Sequence, residues 1–340
     1  MTAGTETVRN INVSQAVAEG LRLEMEADSS VLVIGEDVGV QGGVFGSTRG
    51  LQKAFGPERV LDTPISEMAF TGMAVGLAME GYRPVVEIMF VDFIGVCLEQ
   101  VYNAIAKIPY MSGGRVQMPV VIKTAGGAIG AAAQHSQTLW GLFAHLPGLR
   151  VVAPSTPYDS KGLIAAAVRS DDPVVFIEHK GLLLQRAADF TVGAGVPKGR
   201  YDVPLDRAAV IRPGEDLTLV TLSGSVPRAL AAAQAAADRG VSVEVIDLRS
   251  VVPVDWRTVC ESVARTRRLL VVDEDYLGFG LSGELVTGVV ERLGLGGLDA
   301  VHRHANPNVP VPAALSIENE IVPSIVSIRH AIDAVMAVTR

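Results

Sequence analysis

The chain has 340 residues, of which 49% are hydrophobic and 19% are charged, and its formal net charge at pH 7 is −8. This apolar composition excludes a disordered chain, and the negative charge argues against nucleic acid or an anionic membrane as the partner. The longest apolar stretches, at 69–79 and 125–133, fall short of the roughly 20 residues that a membrane-spanning helix needs. Cys97 and Cys260 form no disulfide framework, and the polar N-terminus lacks signal-peptide features. We therefore expect a cytoplasmic protein.

Strand and helix patterns alternate along the first half of the chain. An amphipathic helix is followed by short strands rich in valine and isoleucine, separated by further helical segments. The predicted strands lie at 31–34, 59–62, 84–89, 120–124, 150–153 and 174–177, and the predicted helices at 12–27, 66–79, 93–110 and 159–169. Ser66 is the expected N-cap of the second helix. This alternation is typical of a parallel sheet with helices on both faces.

The pattern breaks over 182–213, where prolines and clustered glycines interrupt every period. The alternation then resumes. The later predicted strands lie at 217–222, 242–247, 268–273 and 301–304, and the later helices at 226–239, 255–265, 283–293 and 321–338. The sequence thus predicts two α/β domains, each a parallel sheet between two layers of helices. We expect the first domain at 1–195, a connection at 196–213 and the second domain at 214–340.

Residues 278–283 match the Gly-x-Gly-x-x-Gly pattern of dinucleotide-binding turns, with glycines at Gly278, Gly280 and Gly283. Three carboxylates at 273–275 stand directly before the pattern and would repel a pyrophosphate. A tight turn into a helix is the favoured interpretation. A nicotinamide-dependent oxidoreductase that uses Gly278 to Gly283 is kept as an alternative function.

Glu67 and His135 are the two single residues with candidate chemistry. Glu67 stands at the start of an apolar helix, where acids are common because they match the helix dipole. The alternative is a carboxyl group in apolar surroundings that shares a proton with a ring nitrogen. His135 follows a loop rich in glycine and alanine at the predicted carboxyl end of a strand, where α/β sheets bind ligands. Because its neighbours are polar, two interpretations of His135 are equally supported: a functional histidine and an ordinary loop histidine.

Five motifs stand in order along the chain. They are Gly35-Glu-Asp-Val, Asp62-Thr-Pro-Ile-Ser-Glu, Ala133-Gln-His-Ser-Gln, Pro147-Gly-Leu and Lys161-Gly-Leu. Together they resemble the β subunit of the thiamine-diphosphate-dependent E1 component of 2-oxo acid dehydrogenase complexes. The resemblance spans nearly the whole chain and implies a transketolase-like pyrimidine-binding domain followed by a transketolase C-terminal-like domain. The stretches 89–97, 154–159 and 178–180 are most similar to acetoin dehydrogenase β subunits, with the pyruvate and branched-chain types close behind.

The resemblance implies roles for four residues. Glu67 matches the glutamate that bonds N1′ of the cofactor's aminopyrimidine ring and shares a proton with it. Phe93 matches an aromatic residue beside that ring, and Ile65 matches an apolar contact near it. His135 matches a catalytic histidine near the reacting carbon, placed for proton transfer or for guiding a lipoyl group. Glu67 and His135 are thus the expected catalytic residues, and Glu67, Ile65 and Phe93 the expected cofactor contacts.

The resemblance also implies metals and partners. A potassium site built from backbone carbonyls would involve Ala167, Val168, Ser170 and Asp172. Mg²⁺ would be held by a Gly-Asp-Gly motif that this sequence lacks, so we expect it on a separate α subunit that shares the cofactor. The expected assembly is an α2β2 heterotetramer, in which the second domain dimerises β and docks a lipoyl-bearing E2 acyltransferase.

The expected reaction is decarboxylation of a 2-oxo acid, or cleavage of acetoin, with transfer of the acyl unit to the lipoyl group of E2. The sequence does not choose among pyruvate, branched-chain 2-oxo acids and acetoin. A non-catalytic assembly subunit that keeps the motifs only for folding is a further alternative. An assembly of several subunits would also explain the apolar excess, because subunit interfaces resemble a core cut in half.

Overall fold

The first helix begins where the sequence caps it. In the computed structural model, which describes residues 9–190 and 195–338, helix α1 runs Val13–Ala27. The side-chain oxygen of Asn12 accepts a hydrogen bond from the backbone N–H of Gln15 at 2.8 Å, and the side chain of Gln15 accepts from the N–H of Asn12 at 3.0 Å. This reciprocal capping satisfies two backbone donors that a helix start leaves unpaired.

The N-terminal half alternates short buried strands with helices. The strands are β1 (Val31–Gly35), β2 (Val60–Asp62), β3 (Arg83–Ile88), β4 (Val121–Gly126), β5 (Arg150–Val152) and β6 (Val174–His179). The helices after α1 are α2 (Leu51–Phe55), α3 (Glu67–Met79), α4 (Ile94–Glu99), α5 (Ile108–Met111), α6 (Trp140–Ala144) and α7 (Pro157–Arg169). Every residue of β1, β4 and β6 is buried, as expected of strands covered on both faces.

The C-terminal half repeats this arrangement. Its strands are β7 (Ala209–Arg212), β8 (Leu217–Thr221), β9 (Val243–Asp247), β10 (Ser250–Val252), β11 (Arg268–Tyr276) and β12 (Ala300–Asn306). Its helices are α8 (Ser225–Ala237), α9 (Trp256–Thr266), α10 (Leu281–Leu293), α11 (Leu315–Ile321) and α12 (Ile325–Met336). Among the residues that the structure describes, no helix is both long and apolar enough to cross a membrane.

Two sheets organise these elements. The first has seven strands in the order β10-β5-β6-β4-β3-β1-β2, and the second has five in the order β12-β11-β8-β9-β7. Strands β1 to β6 pair in parallel, and β10 joins β5 antiparallel. In the second sheet only the edge strand β7 runs antiparallel to its neighbour. The predicted fold class, two α/β domains with parallel sheets, is confirmed.

The two halves share one apolar core. A single cluster of buried side chains extends from Ile34 and Ile122 in the first sheet to Val220 and Val271 in the second and to Leu285 on α10. Because both halves bury side chains in the same cluster, separating them would expose apolar surface at a cost of about 25 cal/mol per Å².

Two predicted helices are broken in the structure. The segment predicted as a helix over 93–110 is divided into α4, a π-helical turn at Gln100–Ile105 and α5, and Cys97 has non-helical backbone angles (φ −115°, ψ 15°). The segment predicted over 321–338 is interrupted near Pro323, because proline has no N–H to continue the ladder of hydrogen bonds. Ser324 then caps the new start by accepting from the backbone N–H of Ser327 at 3.1 Å.

Five short elements were not predicted, namely α2, α6, α11, β7 and β10. Each has only three to seven residues, too few to show a clear period. Strand β7 lies inside 196–213, the stretch predicted as a connection, and β10 lies inside 214–340 although it pairs with the first sheet. The domain boundaries stay predictions, and the pairing of β10 with β5 ties the C-terminal half of the chain to the first sheet.

Candidate active site

Parallel strands bring the candidate residues to one edge of the first sheet. Glu36 follows β1, Glu67 follows β2 through a short turn, and Phe93 follows β3. His135 lies in the loop after β4, and Lys180 directly follows β6. All five positions lie beyond the carboxyl ends of parallel strands, which is where α/β sheets of this kind bind ligands.

The Glu67 carboxyl group is nearly buried and has no hydrogen-bond partner in the described part of the chain. Glu67 is the first residue of α3, and it is 8% exposed. Ser66 occupies the N-cap position as predicted, but its hydroxyl donates to the carbonyl of Pro64 at 3.0 Å and does not cap the helix. Because no described group pairs with this carboxyl, it is available to a ligand bound at the edge of the sheet.

A second carboxyl group, that of Glu36, lies within electrostatic range of Glu67. Burial raises the pKa of Glu36, the negative charge of Glu67 raises it further, and a hydrogen bond from the backbone of Ser66 opposes both effects. One carboxyl oxygen of Glu36 is also buried without a partner. The raised pKa means that Glu36 holds its proton more readily than a carboxyl group in water does.

His135 is held among aromatic rings. Its ring centroid lies 4.9 Å from that of Phe90 and 5.5 Å from that of Phe93, with interplanar angles of 80° and 74°. Phe90 also contacts Phe93 and Phe45 edge-on, at centroid distances of 5.3 and 5.4 Å. Such edge-to-face contacts orient a ring without using its nitrogens, so both nitrogens of His135 remain available for proton transfer.

Lys180 fixes the backbone beside His135. Its ammonium group donates to the carbonyl oxygen of His135 and lies 5.1 Å from the centre of the Phe90 ring. Burial lowers the pKa of Lys180 to about 8, although the carboxylates of Asp92 and Glu318 act in the opposite direction. The lysine therefore carries its charge at neutral pH and loses it under mildly alkaline conditions.

The end of the His135 loop is tied to both halves of the molecule through Gln137. The side-chain amide of Gln137 donates to the carboxylate of Asp92 at 2.8 Å, and its carbonyl oxygen accepts from the hydroxyl of Tyr276 at 3.2 Å. Asp92 stands just after β3, and Tyr276 is the last residue of β11. The site thus lies next to the boundary between the two sheets.

Ile65 extends out of the molecule next to Glu67. It is 85% exposed, and Met68 and Met73 on the outer side of α3 are 52% and 42% exposed. An apolar side chain this exposed beside a nearly buried carboxyl is placed to contact something bound at the site. Its predicted role as an apolar cofactor contact stays a prediction.

The predicted potassium residues lie at the opposite edge of the sheet. The carbonyl oxygens of Val168 and Ser170 each accept from the guanidinium group of Arg83 at 2.7 Å. The carbonyl of Ala167 accepts from the N–H of Ser170, and that of Asp172 accepts from the Ser170 hydroxyl. A cation already lies against two of these carbonyls, so the segment does not fit a potassium ion in this conformation. The potassium site stays a prediction.

The glycine pattern at 278–283 forms the turn that leads from β11 into α10. The carboxylates that precede the pattern accept hydrogen bonds from the protein. Asp273 accepts from the indole N–H of Trp140 at 3.0 Å, and Asp275 accepts from the N–H of Gly141 at 2.9 Å. Gly280 is needed because a Cβ there would lie 2.0 Å from the carbonyl oxygen of Tyr276. These close contacts explain the glycines by packing, and they favour the structural interpretation over the dinucleotide one.

Sequence reasoning did not single out Phe90, Lys180, Asp92, Glu36 or Glu318 as site residues. The first four each lie one to four residues beyond the end of a predicted strand, so the rule that ligands bind at carboxyl ends could have found them. Glu318 comes from α11, nearly two hundred residues from His135, and no local pattern indicates it. Among the described residues, no group of three or more histidine, cysteine, aspartate or glutamate side chains could hold a metal ion.

Comparison with known families agrees with the motifs. Residues 9–185 match the model described as transketolase, pyrimidine binding domain, and residues 206–328 match transketolase, C-terminal domain. The chain is 42% identical to the β subunit of acetoin:2,6-dichlorophenolindophenol oxidoreductase from Cupriavidus necator, over 95% of this chain and 96% of that one. It is also 42% identical to the pyruvate dehydrogenase E1 component subunit beta of Bacillus subtilis, over 88% and 90% of the two chains. The chain belongs to the E1 β-subunit family of 2-oxo acid and acetoin dehydrogenases.

A solved structure supports the same fold for this family member. A split gene transketolase, described as an inactive beta4 tetramer, superposes with a TM-score of 0.76 over 98% of this chain and 100% of that one, at 21% sequence identity. The resemblance inferred from the motifs is therefore confirmed, together with the transketolase-like order of the two domains. The transketolase-type domains and the E1 relatives imply thiamine diphosphate as the cofactor of this family.

The residues at the edge of the sheet fit one end of that cofactor. A nearly buried carboxyl without a partner, Glu67, is suited to a ring nitrogen, and the half-buried ring of Phe93 offers a face or edge to an aromatic ring. The diphosphate end has no equivalent among these residues, because Lys180 is their only cation and already bonds His135. This chain therefore fits the pyrimidine end of the cofactor, as the name of its first domain indicates.

Proposed function

We propose that this chain is the β subunit of an E1 enzyme that uses thiamine diphosphate to decarboxylate a 2-oxo acid or to cleave acetoin. The observation that carries the proposal is the Glu67 side chain, 8% exposed and with no partner among the described residues, at the same carboxyl edge of a parallel sheet as His135 and Phe93. When bound, thiamine diphosphate supplies an electron sink for breaking a bond next to a carbonyl carbon.

Glu67 holds and shares a proton with the cofactor's N1′ in this proposal. Its low exposure strengthens that hydrogen bond, because water does not compete for it. The negative charge of Glu67 raises the pKa of the neighbouring Glu36, so a second negative charge beside Glu67 is disfavoured. Phe93 contacts the same ring by its face or edge, and Ile65 closes the site against water on the outer side.

His135 transfers a proton at the reacting carbon or guides the incoming lipoyl group. Its ring is oriented by Phe90 and Phe93, and the adjacent carbonyl is held by Lys180. Holding a proton donor in one orientation contributes to the rate because the alignment is fixed before the reaction begins.

A separate α subunit would supply the diphosphate and Mg²⁺ contacts that this chain does not offer, in an α2β2 assembly. The C-terminal domain would pair β with β and dock a lipoyl-bearing E2, which accepts the acyl unit. The exposed apolar residues on α3 are consistent with burial against another subunit. Bound potassium on this chain is not part of the proposal, because Arg83 already occupies the carbonyls concerned.

The substrate is either a small 2-oxo acid or acetoin. Equal identity to an acetoin-type and a pyruvate-type relative does not separate the two, and one methylene in an acyl pocket changes binding by only about 1–3 kcal/mol. The discriminating measurement is dye reduction by the chain co-expressed with its α subunit, with pyruvate, branched-chain 2-oxo acids and acetoin assayed in parallel.

Glu67→Gln tests the mechanism. The variant keeps the size of the side chain but cannot share a carboxyl proton, so we expect turnover to be lost while gel filtration still shows assembly with α. Glu80→Gln, at the exposed end of the same helix, is the matched control and should retain both. Near-normal turnover in Glu67→Gln would contradict the mechanism. Full activity after alanine replacement of both Glu67 and His135 would instead favour a non-catalytic assembly subunit.

A further inference from the structure

The loop that carries His135 has little structure of its own. Residues 127–139 contain glycines, four alanines and few side chains large enough to pack. Within the described chain its internal backbone bonds are few: the N–H of His135 donates to Ala132 at 3.2 Å, and the N–H of Gly127 donates to Gln137 at 2.8 Å. Ala132 also adopts a left-handed conformation with φ of 65°, which costs energy for a residue with a Cβ. Such a loop keeps one shape only if other parts of the molecule hold it.

Glu318 on α11 contacts this loop from the C-terminal domain. Both of its carboxylate oxygens accept from the backbone N–H of Gly130, at 2.8 and 2.9 Å. Glu318 is 3% exposed, although its helix is otherwise largely open to solvent. A buried carboxylate that accepts from a backbone N–H forms a charge-assisted hydrogen bond, which is about twice as strong as a neutral one.

The loop is shaped to receive this carboxylate. Gly130 has φ of +78°, and a Cβ added there would come within 3.6 Å of the Leu315 side chain on the same helix. The loop backbone therefore passes close to α11 at one point, five residues before His135.

The charges around the loop act together. Lys180 donates to the carbonyl of His135, and the negative charge of Glu318 stabilises the lysine's ammonium form against the effect of burial. Glu318 thus holds the first part of the loop directly and supports, through Lys180, the contact next to His135. The end of the loop is held separately by Asp92 through Gln137.

We propose that Glu318 is a positioning residue for His135, so that a helix of the C-terminal domain sets the geometry of a group in the active site of the N-terminal domain. The proposal rests on the proposed function for the role of His135. Glu67 lies on α3 and, among the residues that the structure describes, forms no hydrogen bond with this network, so the two sides of the site should respond separately.

The test compares Glu318→Ala, Glu318→Gln and the control Glu320→Ala, an exposed glutamate on the same helix. The first readout is hydrogen–deuterium exchange by mass spectrometry of peptides covering 127–137 in the full chain. The second is kcat and KM of the complex with the α subunit. The third is the rate at which the C2 hydrogen of the thiazolium ring of bound thiamine diphosphate exchanges with solvent deuterium. This rate reports on the Glu67 side of the site.

In Glu318→Ala we expect loop exchange to rise about tenfold, since one charge-assisted hydrogen bond is lost. We expect kcat to fall about 10- to 100-fold, with a smaller change in KM and an unchanged ring-hydrogen exchange. Glu318→Gln retains one acceptor oxygen and should restore most of the loop protection and turnover. Glu320→Ala should match the wild type in all three measurements.

Unchanged loop exchange in Glu318→Ala would overturn the proposal. So would a parallel loss of ring-hydrogen exchange, turnover and melting temperature, because that pattern indicates a general structural role. If Glu318→Ala does not fold, Glu318→Gln replaces it in the test. A lowered kcat in Glu318→Gln with loop exchange equal to that of the wild type would also contradict the proposal. A wild-type complex without ring-hydrogen exchange or turnover would contradict the proposed function. In that case, a rise in loop exchange in Glu318→Ala would still support the contact between Glu318 and the loop.

Discussion

Nε2 of His179 and a carboxylate oxygen of Glu274 lie 2.8 Å apart, and this contact joins the end of β6 to the end of β11. Both side chains are almost fully buried, at 1% and 2% exposure. Arg228 adds a second contact to the same carboxylate at 2.8 Å. The two sheets are therefore held together by buried charge as well as by their common apolar core.

Glu274→Gln should destabilise the chain by about 3 kcal/mol at pH 7, since removing one partner of a buried ion pair leaves the others uncompensated. Burial by itself would raise the pKa of Glu274, but His179 and Arg228 outweigh it and lower the pKa from 4.5 to about 2. A carboxyl with a lowered folded-state pKa stabilises above its unfolded pKa, and this contribution is lost as pH falls from about 4.5 to about 2. Urea unfolding of the variant and of the exposed control Glu284→Gln measures the difference. Equal midpoints at pH 7 would contradict the prediction.

Lys180→Met should change how stability depends on alkaline pH. Burial lowers the pKa of this lysine from 10.5 to about 8 in the folded chain. Between those values the unfolded chain binds more protons than the folded one, so this lysine makes stability rise with pH. The wild type should therefore gain stability relative to Lys180→Met from pH 8 to pH 10, as measured by thermal melting. A constant difference between the two over that range would show that the lysine does not titrate there, and Lys53→Met is the exposed control.

Phe90→Leu should lower kcat about 3- to 10-fold with little effect on KM. The Phe90 ring lies edge-on to His135 and Phe93, and aromatic contacts of this kind contribute about 0.5–1.5 kcal/mol each. Leucine keeps the apolar volume but does not orient the imidazole. Tyr110→Leu replaces an aromatic ring that is 89% exposed and should leave both constants unchanged. A similar effect in the two variants would remove the orienting role.

The isolated chain should self-associate at micromolar concentration. Apolar side chains at several separate places are more than four-fifths exposed, including Val40, Ile65, Tyr110 and Phe279. Phe279 is also held in the left-handed region at φ 61°, which asparagine tolerates better. Phe279→Asn should therefore reduce the mass measured by light scattering without lowering the melting temperature. A monodisperse wild-type monomer would contradict both this prediction and the proposed assembly.

Much of the fold was predictable because buried parallel strands have a clear local pattern. Continuous Val/Ile runs such as those at 31–34 and 174–177 gave strands at nearly the predicted positions. Lys123 shows where such patterns fail. It lies inside the buried strand β4, 1% exposed, with its ammonium group 3.0 Å from Glu87 and 2.6 Å from Glu178. The sequence cannot show this, because the three residues come together only when their strands pair.

The candidate site divides in the same way. Glu67 and His135 stand in motifs of neighbouring residues, and the family resemblance indicates them without a structure. Lys180, Phe90 and Glu318 act through contacts between distant segments, and their importance depends on which backbone atoms the fold brings near them. The predicted potassium residues could not be checked from the sequence, because backbone carbonyls leave no pattern in the side chains. Only the three-dimensional structure shows that Arg83 contacts two of these carbonyls.

Strand β10 has a practical consequence for any attempt to divide this protein. It comes from the C-terminal half of the chain but covers the edge of β5 in the first sheet. An N-terminal fragment ending in the connection would leave the backbone donors and acceptors of β5 open to solvent, ready to pair with a strand of another molecule. Such a fragment should form amyloid-like or swapped aggregates more readily than the full chain. Split-protein designs based on this subunit would therefore need to divide the chain after the C-terminal end of β10, so that β10 stays with the first sheet.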